Sequence, residues 1–199
     1  MLEMIQATLN QKGFTSFSRP FELNIVGIRA DSVTPNIFDD SLNVYYKTSD
    51  GKWQFHRFAA TTDPGTYWLK NPLSPQGTAI LKHGQYIGSH RIGLHRGKYL
   101  ALVQQRPITV MRDYDRNANL DFMNGREQTG IYGINIHHAS VNGTTKTVDK
   151  YSAGCQVFAN IKDFNLFMQL AERHKGLYGN NFSYTLIDER ALVRESKKN

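Results

Sequence analysis

The chain has only one cysteine, Cys155, among its 199 residues, so no disulfide bond can form within it. No apolar run approaches the roughly 20 residues that a membrane-spanning helix needs. The first residues, Met1 to Ala7, lack the basic and apolar segments of a secretory signal, so we expect synthesis in the cytoplasm without export. Internal repeats and low-complexity tracts are also missing. These absences exclude a disulfide scaffold, a helical membrane protein and a repeat protein.

The composition that is present is that of an ordinary globular protein. The chain is 40% hydrophobic and 21% charged, and its length suits a single domain over residues 1–199. Its net charge is +7, which favours a polyanionic partner, whether nucleic acid, anionic lipid or an acidic cell wall. The alternative is a basic surface that serves solubility and has no particular partner. The charges are scattered, apart from a small basic group at Arg194, Lys197 and Lys198. Because no aromatic and basic pattern of a nucleic-acid module occurs, we expect no nucleic-acid partner. The oligomeric state is not indicated.

The local patterns predict a mainly β protein of the α+β class. Short apolar runs predict strands, and Thr48-Ser-Asp-Gly-Lys is a strong hairpin signal between two of them. The predicted strands are Phe21 to Arg29, Asn43 to Lys47, Trp53 to Phe58, Tyr99 to Gln104, Thr109 to Arg112, Tyr132 to His137 and Phe182 to Ile187. A short helix is predicted over residues 2–12, ending at Gly13. One principal helix is predicted near residues 160–175, capped by Asn160 and ended by Gly176.

One pair of segments carries the residue types of a catalytic site. A strand-like run, Gly133-Ile-Asn-Ile-His, ends at His137, and the small-residue turn Ser152-Ala-Gly presents Cys155. A cysteine nucleophile needs a nearby imidazole and hydrogen-bond donors for an oxyanion. Beside a protonated histidine the pKa of the thiol would fall below its usual value of about 8.5. Taken alone, a single cysteine and a histidine can equally be packed in a core.

These motifs resemble those of the YkuD-type L,D-transpeptidase family, which has a histidine at a strand end followed by a Ser/Thr-x-Gly-Cys turn. His137 and Cys155 are 18 positions apart, and the upstream turn Thr62-Asp-Pro-Gly-Thr-Tyr is similar to a turn of that family. The resemblance covers about residues 57–188 and implies a β-sandwich or barrel. Residues 1–56 would then be an N-terminal extension of the same sheet.

The resemblance also implies a reaction and its residues. Cys155 would be the nucleophile and His137 the general base, oriented by a backbone carbonyl near His138 or Ala139. The turn at Gly154 and Cys155 would hold the oxyanion, and Ser152 is expected to form a hydrogen bond within this turn. The implied substrates are peptidoglycan stem peptides, and no cofactor is required.

Two departures from the family pattern concern substrate binding. Ala153 stands where the family usually has a histidine, and Gln156-Val157 stands where it often has Ile-Arg or Leu-Asn. Strand alternation predicts that His138 faces away from His137. The candidates for substrate binding are His95, Arg96, His138 and Gln156.

A second candidate site is an acidic loop that resembles a calcium loop of the EF-hand kind. Its oxygen-bearing side chains recur at alternate positions: Asp113, Asp115, Asn117, Asn119 and Asp121. Ala118 replaces the usual glycine, and Asn124 stands where a bidentate glutamate is wanted. Turns rich in Asp and Asn are common without a metal, so no firm metal site is predicted.

Three functions follow from these patterns. A wall enzyme without an export signal would have to be released or delivered, which favours a phage-type, endolysin-like hydrolase. The alternatives are an L,D-transpeptidase that cross-links the wall and a non-catalytic wall-binding or virion domain. A papain-like protease would need a histidine after Cys155, and only His174, within the predicted helix, follows it.

Overall fold

The computed structural model describes residues 1–32, 34–122 and 125–192. The helices are α1 (Leu2–Gln11), α2 (Thr66–Lys70) and α3 (Ile161–Tyr178). The strands are β1 (Asn24–Arg29), β2 (Asp40–Lys47), β3 (Trp53–Thr61), β4 (Thr78–Leu81), β5 (Gly84–His95), β6 (Tyr99–Gln104), β7 (Ile108–Asp113), β8 (Glu127–Gly130), β9 (Ile136–His138), β10 (Gln156–Phe158) and β11 (Phe182–Asp188). Short 3-10 turns occupy Asp149–Tyr151 and Glu189–Ala191. The prediction of a mainly β, α+β protein is confirmed.

Eight strands close into a barrel in the order β1-β11-β5-β6-β9-β10-β3-β2. The pairs β1/β11 and β9/β10 are parallel, and the other neighbours are antiparallel. Strands β4, β7 and β8 form a separate antiparallel sheet. The first two strands belong to the segment before residue 57, and without them the ring would open between β3 and β11. The division into a core of residues 57–188 and an extension stays a prediction.

Two apolar clusters hold α1 and α3 against this framework. The larger one fills the barrel and includes Phe158 and Tyr184 from the strands with Phe164 and Phe167 from α3. In the smaller cluster, α1 packs its buried face against the other side of β1, β2 and β11. Alternate residues of these strands therefore face two different cores, which explains why β1 is buried along its whole length.

The predicted principal helix is confirmed, but it does not end at Gly176. It continues to Tyr178, and Gly179 follows it with a φ of 88°. The local patterns of the sequence did not predict α2, β4, β8, β10 or the long strand β5. Strand β5 is hard to predict because glycines at positions 84, 88 and 93 interrupt its strand-like pattern. Gly88 has a φ of 61° and lies near a shift in the register of β5 against β11. Among the described residues no helix is both long and apolar enough to cross a membrane.

The strand predicted over Tyr132 to His137 is wrong for most of its length. Only Ile136–His138 is a strand. The preceding backbone is held by a side chain instead, because Tyr132 N and Ile134 N both donate to Oε1 of Gln104, at 3.0 and 3.1 Å. This irregular segment passes beside Cys155.

Candidate active site

The turn that presents Cys155 is held by its own serine. Ser152 Oγ donates to the carbonyl oxygen of Cys155 at 2.8 Å and accepts from Gly154 N at 3.2 Å. Gly154 has a φ of 117°, and a Cβ there would overlap the carbonyl oxygen of Ala79. The turn therefore requires glycine for its backbone conformation and for its close packing against β4. The Gly154 N–H is engaged, which leaves the Cys155 N–H as the turn's candidate oxyanion donor.

The upstream turn at residues 62–66 packs directly on this cysteine turn. Gly65 N donates to Ser152 O at 2.9 Å, and Gln156 Nε2 approaches Thr62 O at 3.4 Å. A Cβ on Gly65 would overlap the backbone of Asp149. The two glycine-containing segments, far apart in sequence, thus form one local unit.

Cys155 is buried, with 9% of its surface exposed, and packs with Ala139, Val157 and Phe38. Its sulfur donates to Gly133 O and accepts from Asn135 N, each at 3.4 Å. Burial raises the pKa of the Cys155 thiol to about 11. The expectation of a lowered thiol pKa is therefore not met, because the loss of solvation outweighs the lowering effects of the Asn135 N–H and of the Arg96 charge.

His137 is held by the backbone of the next residue. Its Nδ1 lies 2.8 Å from the carbonyl oxygen of His138 and 3.2 Å from the hydroxyl of Tyr99. A carbonyl can only accept, so the proton is assigned to Nδ1 and the lone pair to Nε2. Nε2 is buried and has no hydrogen-bond partner among the described residues. Burial lowers the pKa of His137 to about 3.

The parallel pairing of β9 and β10 places the two residues on one face, although no hydrogen bond joins Cys155 Sγ to His137 Nε2. Val157 is paired with His137, and Cys155 precedes Val157 by two positions. Because side chains alternate along a strand, Cys155 and His137 lie on the same face of this pair. The backbone bond from Gln156 N to Asn135 O, at 2.9 Å, continues the register up to the cysteine.

A second histidine, His95, completes this face. Its ring stacks on that of His137, with centroids 4.0 Å apart, and its Nδ1 lies 3.0 Å from Asn135 Nδ2. Asn135 Oδ1 accepts from Gln104 N at 2.9 Å, which fixes the orientation of its amide. Sequence reasoning named His95 but missed Asn135 and Tyr99. Asn135 stands two positions before His137, and this spacing in the predicted strand indicates that the two side chains share a face.

No protein-family model, curated protein or solved structure matches the chain.

A buried thiol and an imidazole with an uncommitted nitrogen on one face are the groups that nucleophilic catalysis needs. The thiol of Cys155 and the imidazole of His137 are both neutral in the free protein, since burial raises the pKa of the thiol and lowers that of the imidazole. Attack by the sulfur would therefore require transfer of its proton to Nε2 in the same step.

The other substrate-binding candidates separate into three environments. His138 faces away from His137, stacks on Tyr99 with centroids 4.2 Å apart and contacts Phe164 of α3. Arg96 is exposed in the turn between β5 and β6. The prediction that Gln156 binds substrate is corrected, because Gln156 is fully buried. Its side chain accepts a hydrogen bond from Tyr184 Oη at 2.7 Å and donates one to Gly154 O at 3.2 Å. Its polar atoms hold the turn and are not presented to a substrate.

The acidic loop does not assemble a metal site among the described residues. There, no group of three His, Cys, Asp or Glu side chains could hold a metal ion. Asp115 Oδ1 accepts from Asn117 N at 3.2 Å, and Asn117 Oδ1 accepts from Asn119 N at 2.6 Å, so these oxygens stabilise the turn. Asn124 lies outside the described residues, as do Arg194, Lys197 and Lys198 of the basic group.

His174 is a structural histidine of α3. Its Nδ1 accepts from Leu23 N at 3.1 Å, and its Nε2 lies 3.2 Å from Asn181 O. Both ring nitrogens are engaged by the backbone of other residues, so His174 has no nitrogen free for a papain-like arrangement with Cys155.

Proposed function

We propose that the protein is a cysteine-dependent enzyme that performs acyl transfer or hydrolysis on peptidoglycan stem peptides. The observation that carries this proposal is the buried His137 Nε2, which has no hydrogen-bond partner among the described residues and lies on the same strand-pair face as Cys155. An unsatisfied buried nitrogen costs about 1–3 kcal/mol, and the free lone pair of an imidazole is the group with which a general base accepts a proton. The motif resemblance to L,D-transpeptidases supplies the substrate class, and the net charge of +7 is compatible with an acidic wall.

The proposed reaction begins with a neutral thiol and a neutral imidazole. As Sγ of Cys155 attacks the peptide carbonyl, its proton passes to Nε2 of His137, and the His138 carbonyl stabilises the imidazolium through Nδ1–H. The Cys155 N–H holds the developing oxyanion. The leaving amine then takes the proton from Nε2, and a thioester remains on Cys155. Water or a second amine, deprotonated by His137, attacks the thioester and restores the free thiol.

The test is mass spectrometry of purified peptidoglycan fragments incubated with the wild type, Cys155→Ala and His137→Gln. Among these three proteins, we expect new products with the wild type alone. His56→Gln is the control for loss of a histidine outside the candidate site, because His56 of β3 packs with Tyr46 and Phe58; this variant should retain activity. Product masses separate hydrolysis, expected of an endolysin-like enzyme, from transfer, expected of a cross-linking transpeptidase. Full activity in Cys155→Ala would overturn the proposal.

One observation favours a second function, a non-catalytic domain that binds the wall or belongs to a virion. Cys155 is 9% exposed and the pKa of its thiol is raised, which are properties of an inert structural cysteine. This alternative predicts no new product with any wall chemistry, while Cys155→Ala and the wild type co-sediment equally with insoluble peptidoglycan.

A further inference from the structure

Two cavities share one lining side chain, and the first of them lies beside the cysteine turn. The first, of about 160 Å³, is bounded by Ala153 of the turn, Tyr132 and Trp68. The second, of about 570 Å³, lies against the loop that precedes β8. Arg112 of β7 lines both cavities. The first cavity is smaller than the roughly 300 Å³ at which sites for drug-sized ligands begin, so it fits one group of a longer ligand.

The lining of these cavities is cationic. Arg112 is the only charged residue that lines the first cavity, and Arg126 is the one further charged residue of the second, among the described residues. No Asp or Glu of the described chain lines either space. In a partly enclosed site without a competing acid, a guanidinium favours an anionic group, and carboxylates match its planar donor geometry.

The Arg112 guanidinium is positioned by fixed contacts. The residue is 8% exposed; Nε donates to Gln128 Oε1 at 2.8 Å and Nη1 donates to Gly77 O at 3.1 Å. Its Cζ lies 4.7 Å from the centre of the Tyr132 ring. No described residue accepts a hydrogen bond from Nη2, and no carboxylate forms an ion pair with Arg112 among the described residues. A buried cation without a counter-ion is costly, and an anionic ligand would supply one.

The cavity also adjoins the groups of the candidate active site. Ala153 stands two positions before Cys155, and Tyr132 precedes Gly133, whose carbonyl oxygen accepts from the Cys155 sulfur at 3.4 Å. A ligand group held at Arg112 would thus belong to a molecule that extends towards the cysteine turn.

We propose that Arg112 binds a carboxylate of the peptide substrate and thereby selects peptides with a free carboxylate near the scissile bond. This inference rests on the proposed function for the identity of the substrate. The carboxylate can be the C-terminal one or that of an acidic side chain, and both present the same planar anion to the guanidinium.

The test is a binding titration with Cys155→Ala, which cannot turn the ligand over. The probes are a stem tetrapeptide with its carboxylates free, the same peptide amidated at its C-terminus, and the same peptide amidated at its side-chain carboxylates. We expect Arg112→Gln, added to Cys155→Ala, to weaken binding of the free peptide at least tenfold. One amidated peptide should bind the parent weakly and be insensitive to Arg112→Gln, and that peptide identifies the carboxylate.

Two further variants keep the test decisive. Arg91→Gln removes an equal charge from an exposed position of β5 that lines neither cavity, and it should leave binding unchanged. Arg112→Lys guards against misfolding of Arg112→Gln. It should weaken binding less than Arg112→Gln because it keeps the positive charge, and it should still weaken binding because it loses the planar guanidinium geometry. Equal losses for all three probes, or no binding of any probe to Cys155→Ala, would overturn the inference.

The two proposals fail separately. If Cys155-dependent turnover is found but Arg112→Gln leaves KM unchanged for all three peptides, the carboxylate site is wrong and the enzyme assignment stands. If no turnover is found but carboxylate binding depends on Arg112, the enzyme assignment is wrong and the site stands.

Discussion

At the scale of single residues, the candidate site is defined by what burial does to two titratable groups. The pKa of His137 is lowered to about 3 and that of Cys155 is raised to about 11, in both cases chiefly by desolvation. The charges of His95 and Arg96 lower the pKa of His137 further. A preformed thiolate–imidazolium pair is therefore disfavoured, and general-base catalysis is the chemistry that these environments allow.

This neutral pair predicts a flat pH profile. Between about pH 4 and pH 10 neither His137 nor Cys155 changes its charge in the free protein, since the pKa values are about 3 and about 11. We expect kcat/KM of the wild type on a soluble stem peptide to vary little between pH 5 and pH 9 on account of this pair. A bell-shaped profile with an acid limb near pH 6 that disappears in His137→Gln would show instead that the histidine titrates in this range.

Gly154 gives a prediction about the turn. Gly154→Ala should lower the free energy of unfolding by about 1–3 kcal/mol or more, because it combines a positive φ with overlap at Ala79 O. Gly143→Ala is the matched control: its φ is 64° but no atom lies within 4 Å of the added Cβ. Denaturant unfolding should show a clearly smaller loss for Gly143→Ala. Equal losses would mean that the packing of the turn on β4 contributes nothing.

At the scale of elements, the site depends on two very short strands. Strands β9 and β10 have three residues each, and their parallel pairing aligns the histidine with the cysteine turn. Short strands are weakly held by themselves, and here side chains reinforce them: His90 Nε2 lies 2.9 Å from Ile134 O, and Gln104 holds the segment before β9. The site is thus supported by buried polar side chains of β5 and β6.

The end of α3 yields a prediction with opposite signs at two glycines. Gly176 lies inside the helix with open space around it, so Gly176→Ala should raise the free energy of unfolding by about 0.5–1 kcal/mol. Gly179, just after the helix, has a φ of 88° and a ψ of 170°, a region open essentially to glycine alone. Gly179→Ala should therefore lower the free energy of unfolding by about 1–3 kcal/mol. Thermal unfolding of the two variants checks both signs, and a loss in Gly176→Ala would contradict the helix boundary.

At the scale of the whole molecule, the closed barrel buries an unusual set of titratable groups. Burial lowers the pKa values of His83, His90 and His95 to about 4 and that of His137 to about 3. Burial also raises three carboxyl pKa values: that of Asp40 to about 7, that of Asp113 to about 6, and that of Asp63. The histidines and the carboxyls therefore change the free energy of unfolding in opposite directions as the pH falls.

The balance predicts that stability falls on acidification. Between about pH 4 and pH 6.5 the unfolded chain protonates these histidines while the folded chain does not, so each adds stability as pH rises. Asp40, Asp63 and Asp113 act oppositely, because their folded forms hold protons that the unfolded chain has released. Four histidines outweigh three carboxyls, so the free energy of unfolding should rise from pH 4 to pH 6.5. Urea unfolding across this range checks the slope, and His90→Asn should reduce it if that variant folds.

Several features were determined by the sequence itself. The turns, caps and alternation of short apolar runs predicted a mainly β chain, α1, the hairpin between β2 and β3, the strands β6 and β11, and a principal helix starting at Asn160. These are local properties, since backbone preferences, capping and side-chain periodicity act within a few residues. The motif spacing likewise named Cys155 and His137, and strand alternation placed His138 on the opposite face.

The remaining features were decided by the tertiary structure. Closure of the barrel pairs β1 with β11 and β9 with β10, over separations that no local pattern encodes. The glycine-rich strand β5 exists because its partners β6 and β11 satisfy its backbone. The uncharged state of His137 and Cys155, the burial of Gln156 and the cavities at Arg112 depend on which atoms surround each group. Solvation and charge environment are sums over neighbours brought from the whole chain, and only the folded arrangement sets them.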